Sequence, residues 1–199
     1  MGQGIQVGYM ARGTDATADE TTTDHPAADL DTVVVNPDDV VEAMRRNKRD
    51  EDEQRSHDLR VTPPLEEEKK ATPYVSEAHA YYPPELSQKP LHISPEAFIV
   101  GHWAGSHHPD FRNEWCYPDY GTEQHRFRDE IDAWDDDGTV RPFTDDEEDD
   151  WDEWWDTVVE MWENRVRNAL KKTEELTFTS QYPDVEGTTV AVRFETDNA

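Results

Sequence analysis

The chain has 199 residues, with 47 Asp and Glu against 19 Lys and Arg, a formal net charge of −28. Leu, Ile, Val and Phe together number 33, a composition that by itself suggests disorder, but 7 Trp, 7 Tyr and 6 Phe argue for a packed unit. The charge opposes direct binding to nucleic acid or to an anionic membrane surface, and no apolar run approaches the width of a bilayer.

The first residues, MGQGIQVGYM, lack a basic segment followed by an apolar one, so a secretory signal is not expected. Gln6 stands where a myristoylation pattern needs Ser or Thr. Cys116 is the only cysteine, so no intrachain disulfide can form, which fits a reducing compartment.

Residues 1–73 hold one aromatic, Tyr9, while the other nineteen lie between Tyr74 and Phe194. This distribution predicts an extended arm over 1–73 and a globular unit over 74–199. Within the arm, a short run Val33-Val34-Val35 precedes Asn36-Pro37-Asp38-Asp39. Asn can cap, Pro fits the first turn, and carboxylates meet the positive end of the helix dipole, so a short helix is expected over about 37–48. Its stripe of Val40, Val41 and Met44 is too small to bury much alone and would dock on a partner. From Thr62 to Pro90 six prolines predict extended chain, with Tyr74, Tyr81 and Tyr82 as anchors.

Ser94-Pro95-Glu96 opens another helix, with Phe98, Ile99 and Trp103 on its face. A His-rich loop follows over 105–120, and Thr122 can cap a helix carrying Phe127, Ile131 and Trp134. The strongest pattern comes next. Thr144 and Glu147 form a capping box, and apolar residues recur from Trp151 to Leu170 with a 3.6-residue period. Acids crowd the first half while Arg165, Arg167, Lys171 and Lys172 close the last turns, so the long helix is placed at about 145–173. After it, alternation at 176–182 and 190–194 around Pro183-Asp184 predicts a β-hairpin over about 176–195. The expected fold class is therefore α+β.

Four features could carry function. His102, His107, His108 and Cys116 are zinc-type ligands, joined nearby by His125, but no CxxC pair or HExxH helix is present; the alternative is metal-free packing among Trp103, Trp115 and Tyr117. Cys116 as a nucleophile would need a histidine within reach and an oxyanion hole; a small core residue is the plainer reading. Between Asp129 and Glu163 lie 17 acids and one base, Arg141. An EF-hand fails there, because Ala133 and Thr144 fall on ligand positions. A mimic of the DNA phosphate array is a second reading of this tract, and a solvated acidic face is the third. Finally Trp151, Trp154 and Trp155, with Trp162, exceed what a minimal core needs, and Trp is enriched at interface hot spots.

The acids divide as 25 Asp and 22 Glu, the bases as 13 Arg and 6 Lys. High Asp, scarce Lys and few aliphatics resemble the composition of haloarchaeal proteins. At 0.15 M salt the Debye length is about 8 Å, and at 1 M about 3 Å, so molar salt relieves the repulsion such a surface carries. An acidic chain with an extended arm and a helix-plus-hairpin unit also looks like neck or head–tail connector components of haloarchaeal tailed viruses. The likeness is of architecture, without a sequence motif. It implies a non-catalytic subunit of a homo- or hetero-oligomeric assembly, in a virion or in the cytoplasm of a halophilic host, with no cofactor beyond monovalent salt. The interface would then use Val40, Val41, Met44, Tyr74, Tyr81, Tyr82, Trp151, Trp154 and Trp155. A zinc protein built on 102–125 is the runner-up.

Overall fold

A computed structural model describes residues 27–50, 55–77, 89–103, 115–136, 139–178 and 187–195. Strand β1 (Leu30–Val35) leads into helix α1 (Pro37–Arg49), then β2 (Arg55–Val61), β3 (Glu67–Lys70) and β4 (Thr72–Glu77). After them come β5 (Leu91–Ile93), the single-turn helix α2 (Ala97–Val100) and the short β6 (His102–Trp103). The chain ends with α3 (Tyr120–Glu130), α4 (Asp145–Leu170), β7 (Glu175–Phe178) and β8 (Thr188–Phe194). The fold is α+β.

Two sheets share the strands. One has five strands in the order β3-β1-β8-β7-β6, and the other has three in the order β4-β2-β5. In the larger sheet only the β7–β8 pair is antiparallel; β1 lies parallel to both its neighbours. The expected C-terminal strand pair forms, Leu176 facing Val190, and it joins this sheet instead of standing alone. The smaller sheet is antiparallel throughout. The chain passes from one sheet to the other at the fully buried Ala71, whose N–H donates to Val34 O at 2.8 Å.

The expectation of a coreless arm over 1–73 is not met in its described part. Among the described residues, twelve of the 23 that make the main core lie between Ala27 and Ala71. Val33 and Val35 sit inside the five-stranded sheet, and Leu59 and Val61 on β2 are fully buried. The physical reason is side-chain size. Valine and alanine bury little area each, but β-branched residues pack well on a pleated sheet, and an internal parallel strand is covered on both faces. Val40, Val41 and Met44 likewise belong to this core and leave no apolar stripe for a partner.

Helix α1 begins as expected, with Asn36 Oδ1 accepting from Asp38 N at 2.9 Å. It packs on β2 and β4 and touches α4. Asn47 pins it to β2, accepting from His57 N at 2.6 Å and donating to His57 O at 3.0 Å. Ion pairs of Arg45 with Glu163 and of Arg167 with Asp38 join α1 to α4. At the end of α2, Gly101 adopts φ +69°, and a Cβ there would meet Glu175 O at 3.0 Å. Its carbonyl accepts from Thr177 N at 3.0 Å, so the turn sets the β6–β7 contact.

Helix α3 starts earlier than Thr122: Asp119 caps it, accepting from Thr122 N at 2.8 Å. Ile131 and Trp134 lie beyond its end. Helix α4 carries the expected capping box, Thr144 accepting from Glu147 N and Glu147 accepting from Thr144 N at 2.8 Å.

Candidate functional site

Helix α4 is the element with most to account for. One side faces inward: Trp151, Trp162, Val166 and Leu170 are buried, and Trp155 is half-buried. Trp162 extends into the main core, donates its indole N–H to Trp115 O at 2.9 Å, and meets Tyr117 edge-on at 4.8 Å. Trp151 donates to Tyr120 Oη at 3.0 Å. Tyr120, Phe127, Phe143, Trp151 and Trp155 form a second cluster of edge-on and tilted rings between α3 and α4. Arg128, also buried, lies 3.9 Å over the Phe143 ring and donates to Arg141 O. So two of the three tryptophans expected at an interface, Trp151 and Trp155, serve mainly the fold.

Trp154 differs. Its ring leans on Phe127 at 5.7 Å, but its buried indole N–H has no acceptor among the described residues. With Val158 and Met161 it lines an open groove of about 290 Å³, flanked by Asp150, Glu153 and Thr157. Met161 is 49 % exposed, a large apolar side chain on an acidic surface. Asp145, Asp146, Glu148, Asp149, Asp152 and Asp156 are exposed along the same half of the helix. Glu147 is the exception, paired with Arg141 at 2.6 Å; that guanidinium and the Thr144 N–H hold its carboxyl at about 2.

A larger cleft of about 750 Å³ lies at the other end of α4, between Ile99, Trp115, Arg165, Lys172 and Glu175. A third group sits on the small sheet. Strand pairing sets Asp58 opposite Tyr74 and Arg60 opposite His92. Ser56 donates to Asp58 Oδ1 at 2.7 Å, Arg60 lies 4.4 Å over the Tyr74 ring, and Tyr74 meets His92 edge-on at 4.7 Å. Burial pushes the Asp58 carboxyl up and the His92 imidazole down. Tyr74, expected to anchor the chain on a partner, is thus held between two residues of its own sheet. Sequence spacing gave no sign of this group, since residues 58, 60, 74 and 92 meet only through strand register.

Of the zinc candidates His102, His107, His108 and Cys116, the structure describes the side chain of Cys116 alone. His102 lies in β6, and Cys116 is on the surface, its thiol pushed up by partial desolvation and then by the Glu96 carboxylate. His107, His108, Tyr81 and Tyr82 lie outside the described residues. His125 stacks on Trp134 at 5.8 Å. Among the described residues no group of three or more His, Cys, Asp or Glu could hold a metal ion. A thiol pushed upward is the opposite of an activated nucleophile. Among those residues, too, no helix is long and apolar enough to cross a membrane.

No curated protein and no solved structure matches the chain significantly. The model of one family, described as Domain of unknown function (DUF8009), matches residues 19–194, and the chain belongs to that family.

Proposed function

We infer that this chain is a non-catalytic structural subunit that works by association with other protein chains in molar salt. The observation that carries the reading is the α4 groove. A half-exposed methionine and an indole with an unsatisfied N–H stand in the most acidic stretch of the surface. Exposed acids there keep the protein soluble, and a covered groove is what that apolar strip gains from a partner. The charge and the scarcity of Lys support a halophilic setting. A haloarchaeal tailed virus, in its virion or in the host cytoplasm, is the setting this acidic composition favours; the extended arm on which the likeness to a neck or head–tail connector rests is, in its described part, packed into the core. The reading does not need a coreless N-terminal third. Mass measurement of the full chain in molar KCl tests it. A discrete oligomer is expected; the mass of a single chain at every concentration would overturn it.

A further inference from the structure

The groove on α4 suits one particular occupant. Trp154, Val158 and Met161 are spaced four and three apart, which aligns them in a stripe. That stripe lies roughly 90° round the helix from the centre of the buried one, given about 3.6 residues per turn. The helix is also charged unevenly along its length. Asp145–Asp156 holds nine acids and no base, whereas Thr157–Lys172 holds four bases and two acids. Arg165, Lys171 and Lys172 are exposed and make no ion pair among the described residues.

We propose that the stripe is the contact of a two-fold homodimer in which α4 packs antiparallel on α4 of a second copy, with the axis between Thr157 and Val158. This rests on the assembly reading above and names its first partner. The charges choose the direction. A parallel pairing sets the all-acid half against itself, and an antiparallel one sets it against the half that holds every base. With the axis between 157 and 158, Met161 of one copy lies over Trp154 of the other, and Asp150 lies opposite Arg165. A thioether against an indole is a favourable contact, and the same patch used twice satisfies the rule for a two-fold interface. In molar salt the Debye length is about 3 Å, so only close pairs such as Asp150–Arg165 act, and the apolar stripe supplies the attraction.

The test uses the full chain with Cys116→Ser as background, oxidised gently in molar KCl. Val158→Cys is expected to form a covalent dimer, because its two copies meet beside the axis. Asp150→Cys is not, because its copies stand roughly 22 Å apart at about 1.5 Å rise per residue, and a disulfide needs Cα atoms within about 7 Å. Met161→Lys is expected to weaken association roughly tenfold or more. Met161 is half exposed, so the fold should survive this change, and circular dichroism checks that it has. Cross-linking at both cysteine positions would replace the antiparallel dimer with a parallel one and overturn the proposal. Oligomers that persist in Met161→Lys, with no cross-link at position 158, would overturn it and leave the assembly reading standing. A native chain that stays monomeric throughout would overturn both.

Discussion

Trp162→Ala removes the one tryptophan that ties α4 to the main core. Trp162 is 1 % exposed and donates to Trp115 O at 2.9 Å. A buried aromatic removes about 150–250 Å² from water, which at about 25 cal/mol per Å² is about 4–6 kcal/mol, an upper value because unfolded chains are partly compact. Substitutions of this type cost about 3–5 kcal/mol. We expect a loss of about 4 kcal/mol, a large part of the ~5–15 kcal/mol that holds a domain folded. Trp162→Phe keeps a ring against Tyr117 and loses mainly the hydrogen bond, about 1 kcal/mol. The assay is urea unfolding in molar KCl followed by far-ultraviolet circular dichroism, which does not depend on the deleted fluorophore. A loss below about 1 kcal/mol for the alanine variant would show that Trp162 does not join the two halves of the chain.

Gly101→Ala should destabilise by about 1–2 kcal/mol, because φ +69° disfavours any Cβ and this one would meet Glu175 O at 3.0 Å; the same urea assay reads it. Asp58→Asn should stabilise the protein at neutral pH. Burial raises the folded pKa of Asp58 above 3.8, so its ionised form weakens the fold there. That handicap is full above the folded pKa and fades as pH falls toward 3.8, so the two proteins should converge in acid. Glu147 runs the other way. Its folded pKa of about 2 lies below the ordinary 4.5, so the stability it adds is present above 4.5 and lost as pH falls through 2. Carboxyl resonances followed by NMR should show Glu147 titrating at about 2, below the ordinary 4.5.

The elements with local signals were legible. Asn36-Pro37 and Thr144-x-x-Glu147 announce α1 and α4, because a cap is a contact between near neighbours in sequence. The C-terminal strands were legible from alternation, although their partner β1 was not. The run Val33-Val34-Val35 carried a usable signal: a strand buried on both faces does not alternate. Counting aromatics hid it, since small aliphatic residues fill the N-terminal part of the core. At the α4 groove, the sequence places Trp154 at an interface, while the single 3.6-residue stripe from Trp151 to Leu170 takes in Val158 and passes over Met161. Separating two stripes on one helix needs knowledge of which neighbours cover it. The Asp58–Arg60–Tyr74–His92 group was invisible for a related reason, since its members meet across strands joined by long connections.

Residues 27–71 and α4 share one core. Amide hydrogen exchange of the full chain in molar KCl measures this directly. Val33 and Val35 in β1 should exchange as slowly as Trp162 and Val166 in α4, since both require the same opening. Fast exchange in β1 beside a protected α4 would contradict it, and the N-terminal third would again be an arm without a core of its own.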